Sequence, residues 1–275
     1  MAQINEKLAS LLDILKEMDT VAVGFSGGVD SSFLAAAAQR ALGDKAVAVT
    51  AYSETLPESE RQEAIAIARQ IGIRHVLLHI SELESAEFVA NTADRCYYCK
   101  RERFSALKKW ADTQGIAWVL EGSNADDTSD YRPGMRAIDE LSGVRSPLLE
   151  AGLTKDEIRE LSKEWGVPTW NKASAACLSS RVAYGLPVTA ERLKQIEQAE
   201  EFLKQFCTGQ VRVRHHDRLA RIEVSQADIP VLAQPDKAVL ISEKLRQLGF
   251  AYVTLDLSGY RTGSMNAVLN LKNNQ

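Results

Sequence analysis

Short apolar runs alternate with helical patterns along the first half of the chain. Runs of strand length predict buried β-strands at residues 20–25, 46–51, 74–79 and 117–121. Patterns of helical period lie at residues 1–18, 31–42, 58–71 and 99–114. Strands that alternate with helices in this way indicate βαβ units. The first half is therefore predicted to be an α/β domain, a parallel sheet with helices on both faces.

The pattern changes in the second half. Residues 127–152 and 166–187 are rich in polar and turn-forming residues and are predicted to be long loops, which are usually functional. A helix at 154–165 separates them, with Thr154 as its N-cap and Glu157 completing a capping box. Further on, the pattern predicts helices at 189–206 and 236–248 and strands at 210–215, 218–224 and 251–257. These elements indicate a smaller α+β domain, and we place the two domains at residues 1–183 and 184–275.

The composition narrows the class of protein. Lysine and arginine number 33 against 37 aspartates and glutamates, a net charge of −4, which argues against a general nucleic-acid-binding protein. No apolar run approaches the ~18 residues that cross a membrane, and residues 1–18 do not resemble a signal peptide. We therefore expect a cytoplasmic protein with no membrane or nucleic-acid partner. Disulfides are rare in a reducing cytoplasm, so the four cysteines need another explanation.

The string SGGVDSS follows the first predicted strand and opens the next helix. Its glycines allow a tight turn close to a ligand, and the start of the helix offers free N–H groups and the positive end of its dipole. The loop thus forms a predicted anion cradle, and the predicted cofactor-binding residues are Ser26, Gly27, Gly28, Asp30, Ser31 and Ser32. A capped helix start with a glycine turn is the alternative. The string lacks the G-x-x-x-x-G-K-[ST] pattern and instead resembles the PP-loop of ATP pyrophosphatases.

Three of the cysteines are candidates for a second site. Cys96 and Cys99 form a CxxC pair, and Cys177 lies far along the chain among cationic residues. A pair plus one distant thiol fits an iron–sulfur cluster with three protein ligands, a zinc site that needs a fourth ligand, or a redox-active dithiol. Cys177 alone could also be structural, or a nucleophile whose pKa its cationic neighbours lower. Cys207 is predicted to be a buried core thiol.

Two segments of the second half are candidates for substrate binding. Arg212 and Arg214 alternate with valines, so a strand places both guanidinium groups on one face, where they suit a phosphate. An exposed basic strand face is the alternative. Ser180 and Arg181 lie close to Cys177 in the sequence and suit a phosphate or a carboxylate.

The loop after the fourth predicted strand is a further candidate. Ligands of open α/β sheets bind beyond the carboxyl ends of the strands. This loop carries three polar candidates for nucleotide binding, Asp126, Asp130 and Arg132. Any one of the acids could instead cap or stabilise a turn.

Five other polar residues carry less weight. Arg261 is a weaker candidate for substrate binding. His75 and His79 lie on a predicted strand and are expected to be structural, whereas His215 and His216 lie at a predicted hairpin turn and are expected to be solvated.

Taken together, several segments resemble the ATP-dependent sacrificial sulfur transferases (LarE) that make the nickel-pincer nucleotide cofactor of lactate racemase. The segments that carry the resemblance are SGGVDSS at 26–32, CYYCK at 96–100, EGSNADDTSDYRPGMRA at 121–137, RSPLLEAGLTKDEIRELSKEWG at 145–166, CLSSR at 177–181, VRVRHHDRLARIEV at 211–224 and YVTLDLSGYRTGSMN at 252–266. They cover nearly the whole chain.

This resemblance implies a PP-loop ATPase fold, which is similar to the adenine nucleotide alpha hydrolases. It implies that ATP adenylates a carboxylate of pyridinium-3,5-dicarboxylate mononucleotide and that sulfur then displaces AMP, giving a thiocarboxylate in each of two rounds. ATP and Mg²⁺ are the implied cofactors, with Asp30 as a magnesium ligand. The small nucleotide substrate would contact the arginines named above. The resemblance also implies a homo-oligomer, a hexamer.

The source of sulfur differs within this family. Members with a single cysteine give up its sulfur, and Cys177 would then be the donor. This chain also has Cys96 and Cys99, and in that respect it is similar to thiolation enzymes that bind a [4Fe–4S] cluster. We favour the cluster, with these three cysteines as its ligands. Two related activities stay open: tRNA thiolation, which the acidic charge disfavours, and ATP-dependent amidotransfer, which needs no such cysteines.

Overall fold

The computed structural model describes residues 2–129, 133–173 and 176–267. Contacts within the chain divide it into two units, one built from residues up to 82 and from 96 to 173, the other from 83–95 and from 176 onward. The boundary predicted after residue 183 thus falls within the second unit. Residues 83–95 carry no signal in the sequence pattern that would assign them to the second unit.

The helices of the described residues begin and end as follows: α1 Ala2–Glu17, α2 Val29–Leu42, α3 Glu58–Ile71, α4 Ala86–Val89, α5 Arg95–Thr113, α6 Pro133–Asp139, α7 Pro147–Glu150, α8 Lys155–Glu164, α9 Ala190–Leu203, α10 Ile229–Leu232 and α11 Pro235–Gln247. The strands are β1 Val21–Gly24, β2 Ala46–Tyr52, β3 Arg74–His79, β4 Trp118–Leu120, β5 Val144–Arg145, β6 Arg212–His216, β7 Leu219–Glu223 and β8 Tyr252–Leu255. None of the described helices combines the length and the apolar composition needed to cross a bilayer.

Within the described residues, the first unit contains a sheet of five strands in the order β3-β2-β1-β4-β5. Neighbouring strands pair in parallel throughout, as the alternation of strands and helices predicts. The inner strands β1 and β2 are almost completely buried, since helices cover both faces of the sheet. The edge strand β3 is less buried, and each of its residues is half-buried or exposed.

Two apolar layers hold the helices on this sheet. One layer packs α1, α2 and α8 on one face of the sheet. The run Ala35–Ala38 in α2 is buried there, because its small side chains allow the helix to approach the strands closely. The other layer contains Leu107 and Ala111 of α5 and Ile138 of α6. The α/β fold class predicted from the sequence is therefore confirmed.

The prediction of a long loop at residues 127–152 is wrong. The chain forms a 3₁₀ helix at Ala125–Ser129, then α6, β5 and α7. β5 has only two residues, which is too short to produce a periodic signal. α6 and α7 each begin at a proline, because proline has no N–H to lose and a suitable φ in the first turn.

The second unit contains a sheet with the strand order β6-β7-β8 among its described residues. β6 and β7 form an antiparallel hairpin whose turn contains Asp217 in a left-handed conformation, with φ 58°. β8 pairs in parallel with β7, after α10 and α11. Apolar residues of β6, β7, α9 and α11 form a separate core, including Val213, Ile222 and Leu245. This is the smaller α+β region that the pattern predicts.

Candidate nucleotide and sulfur-transfer sites

The SGGVDSS loop connects β1 to α2 at the carboxyl edge of the sheet. Gly27 has φ +68°, a conformation that side chains disfavour, and a Cβ there would lie 3.2 Å from the Cα of Ala64 in α3. Gly28 is the N-cap of α2, and no side chain caps that helix among the described residues. The loop therefore turns tightly and leaves the start of a 14-residue helix for an anion.

Hydroxyl groups close this loop on itself. Ser26 Oγ lies 3.0 Å from Ser31 Oγ and accepts a hydrogen bond from the Gly28 N–H at 3.3 Å. The Ser31 hydroxyl donates to the Gly28 carbonyl. The Ser32 side chain is fully buried, and its Oγ has no hydrogen-bond partner among the described residues. A buried hydroxyl without a partner is costly, and a bound phosphate oxygen would satisfy it.

The loop after β4 meets the same helix start. β1 and β4 are neighbours, and the chain leaves them toward opposite edges of the sheet, which is the position where open α/β sheets bind ligands. A Cβ at Gly122 would lie 3.4 Å from the Ser31 nitrogen, at van der Waals contact, so the loop after β4 lies directly against the start of α2. Asn124 Nδ2 donates to Asp30 Oδ1 at 3.3 Å.

Two lysines complete the surroundings of the SGGVDSS loop. Lys155 Nζ lies 2.5 Å from Asp30 Oδ2, and Lys172 Nζ donates to the Gly27 carbonyl at 3.0 Å. Lys172 also pairs with Glu63 at 2.9 Å. Neither lysine is a predicted residue of this loop. Lys155 had a usable signal, since it directly follows the predicted N-cap of α8.

The Asp126 side chain forms a hydrogen bond with the backbone. Its carboxylate accepts a hydrogen bond from the Lys155 N–H at 2.8 Å, at the first residue of α8. Its contact with nucleotide stays a prediction. Two further candidates, Asp130 and Arg132, lie outside the described residues. Asp30 meets Lys155 and Asn124 through its two oxygens, and its role as a magnesium ligand stays a prediction.

A buried carboxylate lies at the end of β4. Glu121 accepts hydrogen bonds from the Ser123 N–H at 2.8 Å and the Ser146 hydroxyl at 3.1 Å, and Lys100 Nζ lies 2.8 Å away. Burial alone would raise the pKa of Glu121, but the Lys100 ammonium and the hydrogen bonds hold it below its usual value. The ion pair therefore fixes the Lys100 side chain of the CYYCK segment at the end of β4.

Cys96 and Cys99 lie on the first turn of α5, which begins four residues before its predicted start. A spacing of three residues places both thiols on one side of the helix. Cys96 is exposed and Cys99 is half-buried, and all four cysteines of the chain are free thiols. Within the described residues of either unit, no three histidine, cysteine, aspartate or glutamate side chains come together as a metal site.

Cys99 has an acidic neighbour. Its Sγ lies 3.7 Å from Glu82 Oε1, which also receives the Arg103 Nε–H at 2.5 Å. Glu82 is completely buried, which alone would raise its pKa, yet the Arg103 guanidinium holds that pKa below the usual value. Arg103 also donates to the hydroxyl of Thr55 and to the carbonyl of Ala51.

In the second unit, Cys177 is followed by a 3₁₀ helix at Leu178–Arg181. Arg181 is 1% exposed, pairs with Glu200 at 3.0 Å and donates to the Ala176 and Cys177 carbonyls and the Ser180 hydroxyl. The guanidinium therefore holds the backbone next to Cys177. Its contact with substrate, and that of half-buried Ser180, stay predictions.

The two arginines of β6 share one face, opposite the buried Val211 and Val213. They are not an exposed basic face, since Arg212 is 9% and Arg214 is 5% exposed. Arg214 forms two hydrogen bonds with the buried Glu223, at 2.9 and 2.7 Å. Burial and the positive charge of Arg181 lower the pKa of Arg212. Their contact with a substrate phosphate stays a prediction.

The expectation that His215 is solvated is wrong. The hairpin turn begins two residues later, so His215 is still in β6, with a side chain 2% exposed. Its Nε2 lies 2.8 Å from Gln195 Oε1, its ring packs on Phe250, and burial lowers its pKa to about 4. His216 is half-buried, and burial lowers its pKa as well.

His75 and His79 lie on β3, as the sequence pattern predicts, whereas the substrate contact of Arg261 stays a prediction. His75 Nε2 lies 2.8 Å from the Thr50 hydroxyl on the neighbouring strand, and His79 packs edge-on to Tyr52. Arg261 is exposed.

Cys207 is part of the structure of the second unit. It is half-buried, less buried than predicted, and packs against the apolar core of that unit. Burial, together with the charge of Asp228, raises the pKa of its thiol to about 11. A thiol that stays protonated in this way agrees with the predicted packing role.

Comparisons with known proteins agree with this geometry. The family model of NAD synthase matches residues 3–128, which include the SGGVDSS loop and the first part of the loop after β4. The chain is 29% identical to the NH(3)-dependent NAD(+) synthetase of Hyperthermus butylicus over 157 residues, 54% of each chain. The fold and the loop therefore define the class: the chain is a PP-loop enzyme, as the resemblance predicts.

Two relatives match over nearly their whole length. The pyridinium-3,5-bisthiocarboxylic acid mononucleotide synthase of Lactiplantibacillus plantarum is 38% identical over 98% of this chain and 97% of the relative. An uncharacterized protein of Synechocystis is 41% identical over 97% of this chain and 99% of the relative. The chain belongs to the family of the pyridinium-3,5-bisthiocarboxylic acid mononucleotide synthases.

Proposed function

We propose that this enzyme uses ATP to convert the carboxylates of pyridinium-3,5-dicarboxylate mononucleotide into thiocarboxylates. The observation that carries the proposal is the SGGVDSS loop, which follows β1 where β1 lies beside β4. The chain that holds this loop matches a named synthase over nearly its whole length. The neighbouring activities need other partners. A tRNA thiolation enzyme needs a surface for RNA, and the net charge of −4 disfavours one.

The first half-reaction is adenylation. A carboxylate oxygen of the substrate attacks the α-phosphorus of ATP, the bond from that phosphorus to the bridging oxygen breaks, and pyrophosphate leaves. The loop N–H groups and the Ser32 hydroxyl would hold the pyrophosphate, and the Lys155 and Lys172 ammonium groups would offset its growing charge. Mg²⁺ bound to the phosphates would offset more of that charge.

The second half-reaction replaces AMP with sulfur. A sulfur nucleophile attacks the carbonyl of the acyl adenylate, and the bond from that carbon to the AMP oxygen breaks. AMP is a good leaving group, which explains why ATP is consumed first. The buried arginines at 181, 212 and 214 would hold the substrate nucleotide and the loop that carries Cys177.

For the sulfur, we propose a [4Fe–4S] cluster held by Cys96, Cys99 and Cys177. Thiolates are the usual protein ligands of such clusters, and two of these free thiols lie on one turn of α5. When bound, the cluster would supply sulfide at the iron that has no protein ligand. Glu82 and Arg103 would keep the Cys99 side chain in place.

Cys177 as a sacrificial donor is the second candidate. Its thiolate would attack the acyl adenylate to form a thioester, and elimination across its Cα–Cβ bond would release the thiocarboxylate and leave dehydroalanine. The observation that favours this version is the anchoring of the backbone beside Cys177 by Arg181, which would present one sulfur in one position. Both versions use Cys177.

The proposal is tested with purified enzyme, ATP, Mg²⁺, sulfide and three acceptors: the pyridinium dicarboxylate nucleotide, bulk tRNA, and deamido-NAD with ammonia. We expect pyrophosphate release and a thiocarboxylate product with the first acceptor alone. Thiolated tRNA or an amide product would overturn the assignment.

The source of sulfur is tested separately. After anaerobic reconstitution the cluster version predicts iron and sulfide, and a Cys177 of unchanged mass after turnover. Loss of ~34 Da from Cys177, the mass of one hydrogen sulfide, would establish sacrifice instead, because oxidation adds mass.

A further inference from the structure

Residues 83–95 form the segment that the sequence pattern did not assign to the second unit. Asn91 is its most buried polar residue, at 0% exposed, and has a left-handed backbone with φ 53°. Asparagine tolerates this conformation better than most residues other than glycine. The position is therefore adapted to place an amide side chain in the interior.

The Asn91 amide contacts the segment that follows Cys177. Its Nδ2 donates to the carbonyls of Ala183 at 2.8 Å, Leu186 at 2.9 Å and Val182 at 3.4 Å. The Asn91 carbonyl also receives the Gly185 N–H at 3.1 Å. One side chain thus satisfies several backbone acceptors of a segment with no regular structure of its own at residues 183–188.

Arg95 extends these contacts toward Cys177. Its Nη1 donates to the Asn91 side-chain oxygen at 2.5 Å and to the Ser179 carbonyl at 3.0 Å, and its guanidinium lies over the Tyr184 ring. Arg95 is 5% exposed, so these hydrogen bonds form away from water, where they hold geometry best.

Arg181 holds the other end of the same segment. It donates to the carbonyls of Ala176 and Cys177 and is itself fixed by Glu200. The backbone around Cys177 and Ser180 is therefore held by side chains from both sides. A sulfur transfer needs its sulfur within reaction distance of a carbonyl carbon, and small displacements from that geometry are costly in rate.

We propose that Asn91 and Arg95 are positioning residues for sulfur transfer, which act by fixing the segment that carries Cys177. This inference rests on the proposed function, in which Cys177 takes part in the second half-reaction. It assigns no contact with substrate to either residue. Loss of the pair should therefore slow the transfer of sulfur and spare adenylation.

The test compares two rates in each variant: pyrophosphate release and thiocarboxylate formation with the pyridinium dicarboxylate nucleotide. Asn91→Gly removes the amide and keeps the left-handed backbone, and Arg95→Met removes the guanidinium. We expect pyrophosphate release within about twofold of the wild type and thiocarboxylate formation at least about tenfold slower. Arg95→Lys, which keeps one donor, should recover part of the rate.

The matched control is Arg192→Ala. Arg192 also donates to a backbone carbonyl of this segment, that of Pro187, but it lies at the end distant from Cys177 and pairs with exposed Asp217. We expect both of its rates to stay within about twofold of the wild type. If both rates fall together in Asn91→Gly and Arg95→Met, the pair serves general stability and the proposal is wrong.

A second readout needs no activity. In a background of Cys96→Ser, Cys99→Ser and Cys207→Ser, Cys177 is the remaining thiol, and its alkylation by iodoacetamide is followed by mass. Asn91→Gly should raise that rate at least about threefold, and an unchanged rate would contradict the proposal. Failure of the proposed function looks different, because the wild-type enzyme would then form no thiocarboxylate from the pyridinium dicarboxylate nucleotide. Thiocarboxylate formation by Cys177→Ala would instead remove Cys177 from the transfer.

Discussion

The loop at residues 26–32 and the segment at residues 176–188 both carry candidate functional residues, yet they are held in opposite ways. The first is shaped by its own glycines and serines, whose hydrogen bonds to one another run between residues at most five positions apart. The second is shaped by Asn91, Arg95 and Glu200, which lie far away in the sequence.

This difference matches what each part has to do. A phosphate cradle consists of backbone N–H groups at a helix start, and a short string can form one wherever a strand and a helix meet. A segment that presents a thiol needs its backbone acceptors satisfied by donors from elsewhere where it lies in neither a helix nor a sheet, as residues 183–188 do here. Substitutions within residues 26–32 should therefore disrupt the first loop, and substitutions outside residues 176–188 should disrupt the second segment.

The largest effect is expected from Arg181→Met in the second unit. Glu200 would stay buried without its cation, and breaking a buried pair by removing one partner costs about 3–5 kcal/mol. Urea unfolding should show this loss. Arg192→Met breaks an exposed pair and should cost less than about 1 kcal/mol. Equal losses in the two variants would show that burial of the Arg181 pair is not what stabilises the segment.

A pH-dependent effect is expected from His215, whose carbonyl accepts the Ala183 N–H. Its folded pKa is about 4, below the ordinary 6.5, so the unfolded chain binds the proton more strongly. The resulting stability is present above pH 6.5 and is lost as the pH falls toward 4, by at most about 3 kcal/mol. In His215→Gln, the free energy of unfolding should depend less on pH between 6.5 and 4 than it does in the wild type. The same dependence of the free energy of unfolding on pH in wild type and variant would contradict His215 as its cause.

In the first unit, Gly27→Ala should reduce pyrophosphate release at least about hundredfold, since its Cβ would meet Ala64 and its positive φ disfavours a side chain. The control is Gly72→Ala, which has φ +79° and no atom within 4 Å of the added Cβ. That variant should lose about 1 kcal/mol of stability and keep its rate. A Gly27→Ala enzyme with normal release would remove the loop from the mechanism.

The smallest effect is expected from Lys155→Gln. Loss of the ammonium beside Asp30 should lower kcat/KM for pyrophosphate release about tenfold. Lys45→Gln, which breaks an exposed pair with Asp19, is the matched control and should change nothing measurable. If the two variants behave alike, Lys155 only stabilises the helix start.

The sequence predicts those features that depend on neighbouring residues and does not predict those that depend on distant ones. The parallel sheet, the SGGVDSS loop and the Thr154 capping box could be predicted because each is encoded by neighbouring residues. The buried state of His215, by contrast, depends on Gln195 and Phe250, and no local pattern reveals those contacts.

The missed parts of the site have the same cause. The places of Lys155 and Lys172 beside the loop result from the fold of more than a hundred intervening residues. Asn91 carried no signal, since a single asparagine in a connecting segment is common and its partners lie about ninety positions away. Such contacts become visible when the chain is folded.

One measurement tests the central claim, that ATP is used at the first loop and sulfur is transferred through Cys177. Cys177→Ala is mixed with ATP, Mg²⁺, sulfide and the pyridinium dicarboxylate nucleotide in a single turnover, and pyrophosphate and thiocarboxylate are measured together. We predict that pyrophosphate is released as in the wild type and that no thiocarboxylate forms. Thiocarboxylate at the wild-type rate would contradict the account.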